Sequence, residues 1–355
     1  MQGAGSKLKP VLAWLATAVL AGMMLAGCTG GTTGTSLEGT SGNDAVDSTE
    51  TAQSSEETAY DPVALEWDDG NEDARTIGYI PGIGSSSFNQ KLTESVVTSL
   101  REDLSARVVQ PVRIASVSDQ CNTLMEMADQ GVELVVFVPN ANDSWYDAIE
   151  YAQDAGVTVV AVGGVLEEGI SQMVVSYSPS PSDEGTEAAE WLNENATGEM
   201  VVEVAASDNQ TQYLRQRTLY LYLGENYAGT VQNVDQSSDA PQMLDSMLVA
   251  YPQATALVVE NESVLPGLVE AIENSREAQA RDLKIVAFGG SRMTFELLQA
   301  GQIDYLVYRN PNLGSRVTEL IAHLDGGNTM KSGGNPRVLG YDSEISSELV
   351  EALAY

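Results

Sequence analysis

The sequence repeats one local pattern: a short apolar strand, a polar loop and an amphipathic helix. In the first copy, an apolar run at 77–80 stops at Pro81 and is followed by a Gly- and Ser-rich loop at 82–88. Apolar residues at helical spacing then predict a helix from Gln90 to about Leu104. Ligands of an open parallel sheet bind beyond the carboxyl ends of its strands. We therefore expect the loop 82–88 to lie at the functional site and later loops to converge on it.

The pattern recurs along the chain, and a Ser- and Pro-rich stretch at 178–183 interrupts it once, as at a crossing between domains. Strands alternating with helices predict right-handed crossovers and parallel sheets. A chain of 355 residues is longer than a single domain with one hydrophobic core usually is. We predict an α/β protein with two similar doubly wound lobes, joined by about three crossings and facing each other across a ligand cleft. Further strands are predicted at 113–117, 132–138, 157–162, 173–177, 200–205, 230–234, 255–259, 284–288 and 303–308.

The charge balance excludes one class of partner. The chain has 51 acidic and 17 basic side chains, a formal charge of −34. Such a surface repels the phosphates of nucleic acid. We therefore expect no nucleic acid among the partners.

The first 28 residues have the features of a targeting segment. Lys7 and Lys9 precede a short apolar run at 11–25, which is too short for a stable membrane span. The run ends in Leu-Ala-Gly-Cys28, which resembles the bacterial lipobox, where the Cys becomes the lipidated first residue after cleavage. The alternative is an ordinary secretory signal that ends near a Cys. We predict a lipoprotein signal at 1–28 and an extracytoplasmic protein anchored to the membrane through Cys28.

An acidic stretch follows the signal. Residues 29–74 are rich in Gly, Ser, Thr, Asp and Glu and contain no Lys or Arg. Low hydrophobicity with charge of one sign cannot support a core, so we predict a disordered tether there. The second cysteine of the chain, Cys121, falls among apolar residues of a predicted helix and is interpreted as a small buried core residue.

Several stretches taken together resemble the sugar-type periplasmic binding proteins of fold type I, which include the ribose-binding proteins. They are 120–139, 155–160, 284–290 and 298–302, and they occur in the family's order and spacing. The resemblance implies a lobe at 75–178 plus 311–339 and a second lobe at 179–310 plus 340–355. It also implies a monomer that binds a small solute between its lobes and delivers it to the permease of an ABC transporter. The alternative partner is a membrane receptor or histidine kinase that senses the solute.

The resemblance carries five ligand-binding positions onto this sequence: Phe88, Asn89, Arg217, Asn261 and Arg309. Each has a plainer alternative. Phe88 could instead pack against the start of its helix without touching ligand. Asn261 could instead be a helix-entry residue with no ligand contact. Arg217 could pair with surface acids, and Arg309 could have a structural ion pair.

The sequence departs from the family where carboxylates are expected. Gly163 and Gly164 replace an Asp-Arg pair, and Gly289 replaces the Asp of a Phe-Asp-Gly motif. These glycines leave room for a ligand bulkier than a pentose. Arg217 and Arg309 favour an oxygen-rich ligand, including an anionic one, over a simple neutral aldose. The alternative is that Glu260, Glu262 or other acids neutralise both arginines.

The sequence contains few motifs typical of catalysis or of cofactor binding. Gly82, Gly84 and Ser87 imitate half of a dinucleotide fingerprint, without its third Gly or its acidic partner. The one histidine, His323, lies in a predicted amphipathic helix, and no His/Cys group has the spacing of a metal site. We therefore expect no enzyme activity, no cofactor and no metal.

Overall fold

The computed structural model describes residues 61–69, 73–140, 144–206, 210–327 and 333–355. The predicted signal at 1–28, Cys28 and the predicted tether up to residue 60 lie outside these residues. Among the described helices, none is long and apolar enough to cross a membrane.

The strands form two sheets of six, one in each lobe. The lobe-one sheet has the order β1-β3-β2-β4-β5-β6, and the lobe-two sheet has the order β12-β11-β10-β9-β7-β8. All pairs are parallel except β1 with β3 and β11 with β12, which place one antiparallel strand at an edge of each sheet. The strands are β1 Leu65–Trp67, β2 Thr76–Ile80, β3 Arg107–Pro111, β4 Leu134–Phe137, β5 Thr158–Val162, β6 Val175–Tyr177, β7 Met200–Val204, β8 Tyr227–Val231, β9 Ala254–Val259, β10 Lys284–Gly289, β11 Tyr305–Tyr308 and β12 Leu339–Tyr341.

Helices cover both faces of each sheet. They are α1 Ser87–Glu102, α2 Val117–Asp129, α3 Trp145–Asp154, α4 Glu168–Ser171, α5 Pro181–Asn195, α6 Gln210–Leu223, α7 Ala240–Ala250, α8 Leu265–Asn274, α9 Arg276–Arg281, α10 Arg292–Gln299, α11 Gly314–Asp325 and α12 Ser347–Leu353. Short 3-10 turns at Gly224–Asn226, Ser237–Asp239 and Glu262–Val264 join some of them.

Alternate strand residues build a separate core on each face of the lobe-one sheet. Ile77 and Val136 pack toward α1 and α11, whereas Ile80 and Phe137 pack toward α2 and α3. Because side chains alternate across a strand, a strand buried on both faces is a continuous apolar run. The run at β4, Leu134–Phe137, is buried at every position for this reason.

Lobe two has the same plan. Its sheet packs on one face against α5 and α6, with Val258 and Val286 in that core. The other face packs against helices that include α7, α8 and α10, with Leu257 and Phe295 in the core. The predicted fold class, two α/β lobes built around largely parallel sheets, is confirmed.

The chain passes between the lobes three times within the described residues. The passages are at 178–180, at 309–313 and between Gly333, whose N–H donates to the carbonyl of Ser176 in lobe one, and β12. Helix α11 therefore belongs to the core of lobe one, while β12 extends the sheet of lobe two. Each lobe is therefore built from more than one stretch of the chain.

Two sequence predictions need correction. The tether does not extend to residue 74, because Leu65–Trp67 pairs with β3 and Trp67 packs against the lobe-one core. The strand predicted at 113–117 lies at Arg107–Pro111 instead. Both errors arise at the same edge of the sheet, where two short strands pair with each other.

Candidate functional site

A cavity of about 830 Å³ lies between the lobes. Its lobe-one wall comes from the loops after β2, β4 and β5, and its lobe-two wall comes from residues after β7, β9 and β10. Arg309, directly after β11, completes the lining. These loops follow the carboxyl ends of parallel strands, where ligands of such sheets bind. The expectation that later loops converge on the loop 82–88 is confirmed.

Polar side chains hold the loop 82–88 in place. Asn89 Nδ2 donates to the carbonyl of Ile83 at 2.9 Å, and the backbone N–H of Ile83 donates to Asn140 Oδ1 at 3.0 Å. The hydroxyl of Ser86 caps α1 by accepting from the backbone N–H of Asn89. Asn89 lines the cavity, part of its amide is already used to shape the loop, and its contact with ligand stays a prediction.

Phe88 and Arg309 contact each other in the lining of the cavity. Phe88 is only 5% exposed, and the guanidinium carbon of Arg309 lies 4.4 Å from the centre of its ring. The ring of Tyr355 contacts Phe88 edge-on at 5.9 Å. Both predicted residues therefore line the cavity, but Arg309 covers a face of the ring. Stacking of a ligand on Phe88 stays a prediction.

The structure corrects the position of the lobe-two arginine. Arg217 is exposed on α6 and does not line the cavity, whereas Arg215 is 3% exposed and does. Two residues turn an α-helix by about 200°, so the two side chains lie on opposite faces. Arg215 and Arg217 are both arginines near the start of α6, so the sequence pattern that pointed to Arg217 fits Arg215 equally well.

Arg215 is enclosed by two carboxylates and an aromatic ring. Its Nε and Nη2 donate to Glu184 Oε2 at 2.7 and 2.5 Å, and its Nη1 donates to Glu260 Oε2 at 2.7 Å. Its guanidinium also stacks on Phe288, 4.3 Å from the ring centre. Burial raises the pKa of Glu260 to about 7, although the neighbouring guanidinium acts to lower it. The charge of Arg215 is thus balanced by acids, one of which is the Glu260 that the sequence analysis named as an alternative.

Asn261 lines the cavity and also caps the short turn that follows it. Its Oδ1 accepts from the backbone N–H of Ser263 at 3.1 Å, and its Nδ2 donates to the carbonyl of Asp235 at 3.0 Å. The helix-entry role that the sequence allowed is therefore present. Contact with ligand stays a prediction.

The three glycines that replace family side chains do not leave empty space. A Cβ at Gly163 would overlap Leu92, and one at Gly164 would overlap the carbonyl oxygen of Pro139. A Cβ at Gly289 would overlap the carboxylate of Glu262. The expectation that these glycines enlarge the cleft is therefore wrong, because neighbouring groups fill the positions.

The histidine and the cysteine of the described residues both lie outside the cavity lining. No cluster of His, Cys, Asp and Glu that could hold a metal is found in the described part of the chain. His323 lies in α11, outside the cavity lining. Cys121 is buried in the lobe-one core as predicted, and burial raises the pKa of its thiol to about 12.

A family model described as "Periplasmic binding protein domain" matches residues 77–328. The chain belongs to this family. The match spans both lobes and the cavity between them, and the family's members are binding proteins rather than enzymes. The chain is accordingly a binding protein.

The relatives agree with this assignment. The ribose import binding protein of Bacillus subtilis strain 168 is 20% identical over 257 residues, which cover 70% of this chain and 81% of that protein. The glucose-galactose binding protein of Geobacillus stearothermophilus has a TM-score of 0.66 at 16% identity, over 77% of this chain and 99% of its own. An ABC transporter solute binding protein from Agrobacterium vitis with bound D-fucose has a TM-score of 0.65 at 16% identity, and the match covers 79% of this chain and 100% of that protein. At these identities the structural likeness establishes the fold.

Proposed function

We propose that this periplasmic binding protein captures a small, sugar-like, oxygen-rich solute between its lobes and delivers it to an ABC transporter. The observation that carries the proposal is the cavity between two lobes in a chain of this family. The names of the relatives support the ligand class, since they include import and transporter binding proteins for sugars.

The chemistry of the cavity supports the same ligand class. Its lining combines carboxylates, guanidinium groups and amides with apolar atoms, and a hydroxyl group can both donate to and accept from such groups. Its volume falls within the range of small-molecule sites. A compact polyol offers hydrogen-bonding groups on most of its surface and so suits a wall of this kind.

Closure of the lobes is the expected binding motion. The described part of the chain passes between the lobes at 178–180, at 309–313 and again before β12, and such connections act as hinges in periplasmic binding proteins. The cavity is lined from both sides, so a ligand that contacts both walls favours the closed form.

The proposal places the protein outside the cytoplasm. The lipobox at Cys28 supports a lipid anchor, and the acidic segment after it would separate the lobes from the membrane surface. We propose a monomer that meets the permease of its transporter at this surface.

The experiment is to purify residues 29–355, denature the protein and identify released small molecules by mass spectrometry. We expect a sugar or related polyol in stoichiometric amount. Small-angle scattering of the emptied protein, before and after that compound is returned, should show a smaller radius of gyration in the second case. A non-polyol ligand, or an unchanged scattering profile at saturation, would contradict the proposal.

A further inference from the structure

One aromatic side chain packs against the cores of both lobes. Tyr355 contacts the lobe-two core that includes α7, α8 and α10, and it also contacts the lobe-one core that includes α1 and α11. No other hydrophobic side chain of the described residues belongs to cores of both lobes. Tyr355 is not among the residues that line the cavity. It therefore joins the lobes beside the cavity rather than within its lining.

Lobe two holds Tyr355 through backbone hydrogen bonds. The N–H of Tyr355 donates to the carbonyl of Gly290 at 3.2 Å, and the N–H of Arg292 donates to the backbone oxygen of Tyr355 at 3.1 Å. Tyr308 Oη donates to the carbonyl of Leu353 at 2.9 Å and so ties the preceding segment to β11. A Cβ at Gly290 would overlap the rings of Tyr355 and Tyr308, so a glycine there permits their close approach. The ring of Tyr355 thus has a fixed place beside the loop after β10.

The partner of this ring in lobe one is Phe88, at the start of α1. The two rings are T-shaped, with 5.9 Å between their centres and 70° between their planes. Aromatic pairs at about this distance and angle attract each other beyond the burial of their surface. Tyr308 supports Tyr355 from within lobe two, with 6.4 Å between ring centres. Burial raises the pKa of Tyr355 well above its usual value, so its ring meets Phe88 in the neutral form.

The two rings belong to opposite walls of the cavity. Phe88 lines the cavity from lobe one, and Ser291, next to the Gly290 that binds Tyr355, lines it from lobe two. A rotation of the lobes about the passages between them separates these walls and pulls the rings apart. The contact therefore belongs to the closed arrangement of the lobes. A contact that one of two conformations makes raises the population of that conformation.

We infer that Tyr355 is an interlobe latch, whose ring packs on Phe88, stabilises the closed lobes and strengthens solute binding without touching the solute. The inference rests on the lobe closure of the proposed function and adds a residue outside the cavity that sets the closing equilibrium. The fraction of closed protein before binding scales the apparent affinity. Loss of the latch should therefore weaken the binding of every solute by the same factor.

The first measurement needs no solute. Spin labels on Tyr146→Cys in α3 and Tyr213→Cys in α6, both exposed positions, report the separation of the lobes by double electron–electron resonance. The protein is residues 29–355 after exhaustive dialysis, in which the native Cys121 is buried. Tyr355→Leu removes the ring and should lower the ratio of short to long separations by about 2- to 10-fold, as expected for one aromatic pair.

Two matched variants separate a latch from a merely structural ring. Tyr355→Phe keeps the ring and loses only the hydroxyl group, so its separations should equal those of the wild type. Tyr341→Leu removes a ring that packs on Tyr308 and belongs to the core of lobe two alone. It should lower the free energy of unfolding and leave the separations unchanged.

The second measurement is calorimetry with D-ribose, D-glucose, D-galactose and D-fucose. For each of these sugars that binds the wild type, Tyr355→Leu should bind about 2- to 10-fold more weakly, with one factor for all, because the latch does not touch the sugar. Tyr355→Phe and Tyr341→Leu should keep the wild-type affinity.

Unchanged separations in folded Tyr355→Leu would overturn the inference. An equal shift in Tyr355→Phe or in Tyr341→Leu would also overturn it. A shift in Tyr355→Leu without binding of any of the four sugars would leave the latch standing and count against the ligand class of the proposed function. If Tyr355→Leu does not fold, Phe88→Leu removes the other ring of the pair and decides the question in the solute-free measurement.

Discussion

The guanidinium of Arg309 covers the ring of Phe88, with 4.4 Å between the guanidinium carbon and the ring centre. Phe88 opens the first helix of lobe one, and Arg309 follows the last parallel strand of lobe two at a passage between the lobes. The pair therefore joins the two lobes beside the ligand cavity.

The first prediction is a coupling between these two residues. A double-mutant cycle with Phe88→Leu and Arg309→Met, measured by urea unfolding, should give a coupling free energy of about 1–2 kcal/mol, since the contact is largely desolvated. Tyr177 and Arg316 serve as a control pair, because their separation is 5.8 Å and Arg316 is half exposed. Their coupling should be about 0.5 kcal/mol. Equal couplings in the two cycles would count against a special role for the Phe88 contact.

The second prediction separates the two arginines of α6. Arg215→Met removes a cation between two buried carboxylates and should destabilise the protein by about 3–5 kcal/mol. Arg217→Met changes an exposed side chain on the same helix and should cost less than about 0.5 kcal/mol. Denaturant unfolding of both variants measures the difference. A larger loss for Arg217→Met would refute the assignment.

The third prediction concerns pH. Burial raises the pKa of Glu260 to about 7, above its value of about 4.3 in an unfolded chain. The folded state therefore holds a proton that the unfolded state releases between these values, and stability from this group is lost as the pH rises through 7. The free energy of unfolding of the wild type minus that of Glu260→Gln should fall by more than about 1 kcal/mol from pH 4.5 to 8. The same difference for Glu348→Gln should stay flat, and a flat line for Glu260 would disprove the shift.

The fourth prediction contrasts two glycines of the cavity. Gly164→Ala places a methyl group against the backbone carbonyl of Pro139, which cannot move alone, so we expect a loss of about 1–3 kcal/mol in stability. Gly289→Ala places it against the flexible carboxylate of Glu262. That variant should instead lose about tenfold in affinity for the bound sugar because the carboxylate is displaced. Unfolding and calorimetry on both variants test the contrast, which a reversed pattern would contradict.

The fifth prediction concerns the anchor. If Cys28 carries the proposed lipid, Cys28→Ser removes the thiol that would receive it and should leave the precursor uncleaved or release mature protein from the membrane. Acyl chains contribute about 0.8 kcal/mol per buried CH₂ to membrane binding, so their loss is decisive. Membrane fractionation with metabolic lipid labelling measures both effects. Continued acylation at normal levels would rule out this cysteine as the anchor.

The central strands of the fold were predictable from sequence, and its edges were not. The runs at 77–80, 132–138 and 157–162 are apolar on both faces and match β2, β4 and β5 closely. β1 is three residues long within an acidic stretch, and its pairing with β3 depends on contacts that its own composition does not reveal. β3 ends at Pro111, and the alternating residues just beyond it imitate a strand more strongly than β3 itself.

The site was predictable to the level of loops but not of individual charges. Phe88, Asn89, Asn261 and Arg309 all line the cavity, because each lies in, or at the far end of, a segment that leaves the carboxyl end of a strand. Arg215 and Arg217 cannot be told apart by pattern, since α6 carries apolar residues on both its faces. The partnership of Glu260 with Arg215 joins residues 45 positions apart and depends on packing between elements.

The interleaving of the two lobes has a consequence for how the chain is made. Lobe one lacks α11 until residue 325 has been synthesised, and lobe two lacks β12 until residue 341. At about 5–20 residues per second, a ribosome therefore holds both cores unfinished for most of translation. We expect the nascent chain to stay unfolded long enough to enter a secretion channel, with maturation completed only after release on the far side.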